Sequence, residues 1–238
     1  GMGENNDFRI LEFAENREGV SFQLHWRGKL ITEVNWGMTG EFNARNLAMS
    51  CLGSILAQSA RLGKKVDVSN PFSGFEIPDY SKCKGVKRRQ EILIDQPEVV
   101  VISDFGHHPT AIEGTLQSIR SRWPDRKIIA CFEPRSNTAV TNVFQDRFAD
   151  SLAMSDEGVL GSVHRADKIP ITKRIDTQAM IQRIQALEKK GKSFSDNQEL
   201  AEFLESKLPK GESFLVIFFS NGSFDGVIDR ICSFITNS

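Results

Sequence analysis

Apolar and polar positions alternate early in the chain and then change rhythm. "VSFQLHW" (20–26) and "LITEVNW" (30–36) each alternate with period two, separated by Arg27-Gly28-Lys29. That pattern predicts two strands joined by a tight glycine-containing turn. Beyond them, apolar or small residues at 47, 48, 51, 52, 55, 56 and 59 keep one face at helical spacing, and Gly63 supplies a stop. Residues 64–84, punctuated by Pro71, Gly74 and Pro78, predict a connector.

From Val86 onward, continuous apolar runs alternate with helical patterns. The runs at 99–103, 127–132, 158–163 and 213–219 predict strands, and the segments near 109–122, 138–153, 177–190 and 196–207 predict helices. In the last segment Phe224, Val227, Ile228, Ile231, Cys232 and Ile235 form one stripe at 3.6 spacing. Apolar strands alternating with helices imply an α/β fold, a Rossmann-like and mainly parallel sheet with helices on both faces. Ligands on such sheets bind beyond the carboxyl ends of the strands. That rule selects three loops: 103–109, 133–138 and 220–224.

Composition narrows the function classes. The 238 residues carry a net charge of −1, so no general attraction to nucleic acid or anionic lipid is expected. No apolar run approaches the roughly 20 residues of a spanning helix. No signal peptide opens the sequence, and Gly1-Met2 reads as an expression remnant. Cys51, Cys83, Cys131 and Cys232 are widely spaced, which suits reduced cysteines in a cytoplasmic protein and gives no zinc pattern.

"ALEKKGKS" (186–193) nearly matches the phosphate-loop pattern GxxxxGK[ST], but Ala186 stands where the first glycine belongs. The segment also ends a helical pattern instead of following a buried strand, so Gly191 is read as a helix stop. The GxGxxG fingerprint is missing after every predicted strand, which argues against a dinucleotide oxidoreductase.

The three loops hold the candidate chemistry. In "SDFGHHPT" (103–110) Asp104 ends a strand, where it can accept two hydroxyl hydrogen bonds such as a ribose offers. His107 and His108 diverge if the backbone is extended, and a metal would lack further ligands of suitable spacing. One histidine packing and the other solvated remains as good a reading as a ligand site. In "FEPRSNT" (132–138) Arg135 is shaped to hold a carboxylate, although the same residues also suit a capped surface turn. In "SNGSFDG" (220–226) backbone N–H groups at Gly222 and Ser223 precede the last helix, where an anion could be received. The basic run "KGVKRRQE" (84–91) sits where the two rhythms meet, so Arg88 or Arg89 could reach a phosphate there.

Taken in order, "GEFNARN", "GVKRRQE", "DFGHHPTAI", "FEPRSNT" and "SNGSFDG" resemble the Mur ligases, the ATP-dependent amide-forming enzymes of peptidoglycan precursor synthesis. "FEPRSNT" and "SNGSFDG" look most like the recycling branch, which joins L-alanyl-γ-D-glutamyl-meso-diaminopimelate to UDP-N-acetylmuramate. The resemblance covers nearly the whole chain but only the second half of such an enzyme. It implies that residues 1–84 are a hairpin-plus-helix remnant of the central ATPase domain, and that 85–238 are the C-terminal, amino-substrate-binding domain.

The reaction so implied is phosphorylation of the muramate carboxylate by ATP, with magnesium, followed by amine attack on the acyl phosphate. The resemblance further implies nucleotide contacts from Asn43, Asn46, Arg88 or preferably Arg89, and Asp104. It implies substrate contacts from His107, Arg135, Asn137, Ser220, Asn221 and Ser223. No catalytic or metal-binding residue is assigned, and the missing domains of the same polypeptide would be partners. Without a phosphate loop and a UDP-sugar domain, the chain alone is expected to be inactive and to bind no cofactor tightly. The alternative is a stand-alone, noncatalytic peptide- or nucleotide-binding module derived from a Mur ligase. Two departures stand out: Phe42 replaces the histidine of the family's GxHNxxN, and Ser103-Asp104 has one acid where many relatives have two.

Overall fold

A computed structural model describes residues 1–83, 85–208 and 211–237. The sequence-derived boundary at residue 84 therefore touches a position outside the described residues. The chain divides into two compact units, Gly1–Gly85 and Val86–Ser238.

In the first unit β1 (Phe8–Asn16), β2 (Gly19–Trp26) and β3 (Lys29–Trp36) form an antiparallel meander. The β2–β3 turn is the predicted one, with Arg27 at φ 46° and Gly28 at φ 82°. Strand β1 was not predicted. Its left-handed Glu12, φ 50°, accompanies a register shift between Leu11 and Ala14, which breaks the alternation that would reveal it. Helix α1 (Glu41–Leu62) ends at left-handed Gly63 as expected. Its buried Leu47, Cys51 and Ile55 pack with Phe8, Ile10, Phe22 and Leu24 of the sheet. The connector is pinned by two indoles: Trp26 donates to the Ser69 carbonyl (3.1 Å) and Trp36 to that of Cys83 (2.7 Å).

The second unit is a six-stranded sheet in the order β4 (Glu91–Asp95), β5 (Val99–Asp104), β9 (Phe214–Phe219), β6 (Lys127–Phe132), β7 (Glu157–Leu160), β8 (Lys190–Ser193). All neighbours are parallel except β4 on β5. Helices α2 (Pro109–Arg122), α3 (Gln145–Leu152) and α4 (Thr177–Ala186) cover one face; α5 (Asn197–Lys207) and α6 (Val227–Asn237) cover the other. Strands β5 and β9 are buried along their whole length, which explains why they read as unbroken apolar runs. The mainly parallel α/β architecture is the one the alternation predicted.

Four local expectations are corrected. The helix expected over 138–153 begins only at Gln145, after a turn in which Val140 N–H donates to the Ser136 carbonyl and a 3-10 turn at Asn142–Phe144. The helix expected to reach 190 ends at Ala186, and left-handed Glu188 (φ 60°) turns the chain into β8. Gly191 is thus a strand residue and not a helix stop: a Cβ there would lie 3.2 Å from Ile184 Cγ2 and 3.3 Å from Ile181 Cδ1. The last helix starts at Val227, because Phe224 and Asp225 take left-handed φ of 54° and 49°. Phe224 nevertheless lies in the core with the stripe that predicted it. Among the described residues no helix is long and apolar enough to cross a membrane.

Candidate functional site

Strand register brings the three selected loops together. Asp104 of β5 and Phe132 of β6 both pair with Phe219 of β9, so the strands end level. The ladder continues one step past them: Ser220 N–H donates to the Asp104 carbonyl (3.1 Å) and Glu133 N–H to that of Phe219 (3.0 Å).

The first loop is organised around Asp104, which is 3% exposed. One carboxylate oxygen accepts Gln90 N–H (2.9 Å) and the other accepts Gly106 N–H (2.6 Å). Burial pushes this carboxyl above its ordinary range, against the pull of those two N–H groups and of Arg89 and Arg88. Its geometry is that of a clasp on backbone, with one N–H donated to each oxygen. The clasped segment needs one, because Arg88 (φ 61°) and Gln90 (φ 49°) are left-handed, a conformation costing about 1–2 kcal/mol for a residue with a Cβ. Arg88 N–H donates to Glu91 (2.8 Å), and Phe105 N–H donates to the Arg88 carbonyl (2.6 Å).

The two arginines separate here. Arg88 sends its guanidinium to the carbonyls of Ser220 (2.5 Å) and Gly222, tying the segment before β4 to the third loop. Arg89 is exposed and stands 5.5 Å over the Phe105 ring. The geometry therefore makes Arg88 a brace and leaves Arg89 as the arginine presented to solvent.

His107 and His108 also part company. Half-buried His107 sets its ring edgewise on Phe105 (5.5 Å), with Nδ1 3.0 Å from the Phe105 carbonyl oxygen. Exposed His108 stands at the N-terminus of α2 and packs against Phe144 (5.1 Å). Among the described residues no group of three or more His, Cys, Asp or Glu is placed to hold a metal ion.

The second and third loops are joined by a residue that the sequence reading passed over. Glu133 is 2% exposed; it accepts a hydrogen bond from the Ser220 hydroxyl and an ion pair from Arg135 Nη1 (3.2 Å). Ser220 in turn accepts Gly222 N–H through its hydroxyl oxygen (2.8 Å). Ser220 is itself buried, and the Gly222 N–H is committed to its hydroxyl oxygen and not offered to an anion. Arg135 lies across Gly222: a Cβ built there would fall 2.3 Å from Arg135 Nε. Asn221 places Oδ1 in a buried position without a hydrogen-bond partner among the described residues, while Asn137 and Ser223 are exposed.

In the first unit Asn43 is buried and its amide donates to the Thr39 carbonyl (2.6 Å), whereas Asn46 is exposed. Phe42 lies over Gly40, where a Cβ would come within 2.6 Å of its ring.

A cavity of about 630 Å³ opens farther along the same carboxyl edge, over β7 and β8. Ser162, Arg174, Gln178, Ser193, Phe194 and Glu199 are among its lining residues. A second cavity, about 500 Å³, lies at the opposite end of the strands among Lys127, Lys190, Lys207 and Glu157, where the lysines at 127 and 207 are paired with Glu212 and Glu157.

The model of the Mur ligase, glutamate ligase domain matches residues 88–218, more than half the chain. A UDP-N-acetylmuramate–L-alanine ligase of Pelobacter propionicus is 30% identical over 171 residues, covering 72% of this chain and 34% of that protein. The corresponding ligase of Desulfosudis oleivorans is 28% identical over 91% of this chain and 45% of its own length. The chain thus spans less than half of these relatives. By fold alone it resembles the crystal structures of UDP-N-acetylmuramate–alanine ligase from Thermotoga maritima (TM-score 0.72, 19% identity, 99% of this chain and 47% of that one) and a murein peptide ligase from Psychrobacter arcticus (TM-score 0.64, 22% identity, 98% and 45%). The matched stretch runs from Arg88 into β9, taking in the Asp104 clasp and the Glu133–Arg135 pair, and it places this chain in the Mur ligase family.

Proposed function

We propose that the chain is the amino-substrate-holding part of a cytoplasmic, ATP-dependent amide ligase of peptidoglycan recycling, which joins L-alanyl-γ-D-glutamyl-meso-diaminopimelate to UDP-N-acetylmuramate. The observation that carries this reading is Arg135, a guanidinium aimed by a buried carboxylate and laid over a glycine where two strand-end loops meet. Such a cation, held in one orientation before binding, suits a substrate carboxylate and loses little freedom on contact. His107 and Ser223 stand on the flanking loops, and Glu133 with Ser220 sets the Arg135 position.

ATP, bound with magnesium in the complete enzyme, supplies the phosphoryl group that activates the muramate carboxylate. Exposed Arg89 is the side chain here best placed to meet a phosphate, and exposed Asn46 is the one offered by α1. The described acids do not cluster to hold magnesium, so no step is derived through the metal. What these residues contribute is position: an amine delivered to the face of an activated carboxyl gains a large part of its rate from orientation. With no phosphate loop in its 238 residues, the polypeptide alone is expected not to ligate.

A second reading takes L-alanine as the amine, and the curated relatives named as alanine ligases favour it. Calorimetric titration separates the two. The tripeptide is expected to bind this chain at least tenfold more tightly than L-alanine, and Arg135→Ala to remove that binding. Equal affinity for alanine and tripeptide supports the second reading; wild-type affinity in Arg135→Ala overturns the assigned pocket.

A further inference from the structure

Resting on that reading, we infer that the cavity over β7 and β8 is a second subsite, one that takes the zwitterionic amino-acid end of the peptide remote from its reacting amine. Three features of the cavity point there. First, it belongs to the same carboxyl edge as the Arg135 loop and is tied to it. His164 N–H donates to the Pro134 carbonyl (2.9 Å), and Gly161 N–H to that of Phe132 (2.9 Å). Buried Asn197 accepts Ser162 N–H (2.8 Å) and donates to Asp225 beside the third loop (2.7 Å), so the cavity wall and both loops form one framework.

Second, the charges are of both signs. Arg174 lines the cavity and is anchored there by Nη1, which donates to the Ala166 carbonyl at 3.0 Å. Glu199 supplies an exposed carboxylate from the first turn of α5. The other acid in the wall, Asp176, is committed: its Oδ1 accepts Gln178 and Ala179 N–H as the cap of α4. A ligand end carrying one carboxylate and one ammonium matches this pair, with the Ser193 hydroxyl and Gln178 amide, 2.9 Å apart, beside it. Phe194 offers the apolar surface that an intervening methylene chain would cover.

Third, the span fits. Two strand spacings separate β6 from β8, about 10 Å. A three-residue peptide reaches about 10 Å when extended. A substrate that sets a carboxylate near its reacting end on Arg135 thus has its far residue over β8, whereas free alanine is too short to occupy both.

The test uses free meso-diaminopimelate as probe, which needs nothing from the Arg135 loop. In amide NMR spectra of the chain it is expected to shift Ser162, Gln178 and Ser195, with at least tenfold weaker binding in Arg174→Ala. Glu199→Gln, an exposed change that leaves the α5 cap intact, is expected to weaken it about threefold. Pimelate, which lacks both ammonium groups, is expected to bind as weakly to wild type as diaminopimelate does to Glu199→Gln. Absence of shifts, shifts confined to residues 104–108 and 220–223, or equal binding by wild type and Glu199→Gln each overturns the subsite. The Arg135 pocket is judged separately by the dipeptide L-alanyl-γ-D-glutamate, whose binding is expected to fall in Arg135→Ala and to stay unchanged in Arg174→Ala.

Discussion

Two stretches of one sheet edge are held in place differently. Over β5, β9 and β6, buried carboxylates do the holding: Asp104 clasps backbone and Glu133 clasps side chains. Over β7 and β8 the polar groups are mostly half-buried or exposed, and two of the acids there, Asp176 and Asp196, cap helices. A buried carboxylate with both oxygens engaged permits one arrangement, because any other leaves a charge or a donor unpaired in a poorly solvated place. Capped helix starts around an open cavity leave the lining side chains freer to adjust. The middle of the edge is therefore built for fixed geometry and its flank for accommodation.

That contrast can be broken most forcefully at Glu133. Glu133→Ala strands the buried Ser220 hydroxyl and frees Arg135, so urea denaturation is expected to show a loss of about 3 kcal/mol, with peptide binding falling in parallel. Wild-type affinity in this variant would remove the argument for a preset Arg135.

Asp104 sharpens the comparison from the backbone side. Asp104→Asn turns one acceptor into a donor facing an N–H, with an expected cost of about 2 kcal/mol. Its pH dependence has a definite sign. Because burial raises the native carboxyl above its unfolded value, this group's contribution is fully present below the unfolded value and is lost as pH rises through the native one. The stability gap between wild type and Asp104→Asn is expected to narrow on going from strongly acidic to neutral pH. A gap that widens with pH contradicts the burial-dominated reading.

The smallest effect is expected at the flank. Lys192 stands over the Phe194 and Phe203 rings (4.9 and 4.6 Å) on edge strand β8. Lys192→Met is expected to leave nucleotide affinity of the proposed full-length ligase unchanged, measured by equilibrium dialysis. Loss of nucleotide binding would restore the phosphate-loop reading of "KKGKS".

How far these features were legible depended on where their causes lie. Central strands announced themselves because both faces are buried, and α1 did so through its single stripe and glycine stop. Strands β1 and β4 were hidden by bulges that shift the two-residue period, between Leu11 and Ala14 and between Ile92 and Ile94. Strand β8, "KGKS", carries no apolar signal at all, since partner Glu157–Leu160 and helix α4 do its packing. The three loops were legible from strand-end logic. Glu133 was not: a glutamate after a strand reads as surface until Ser220, 87 residues away, comes to meet it. Between Arg88 and Arg89 the residues alone gave no choice and the resemblance only a preference for Arg89; the left-handed turn at Arg88 and its bonds to the third loop set the two apart.

Gly222 has no side chain, and Arg135 fills the vacancy. A single methyl introduced there would leave every charged group in the sequence intact, yet it would evict the guanidinium from its resting place. Such an alanine is expected to displace the arginine while the protein stays folded, so the orientation of that guanidinium is written partly in a hydrogen atom.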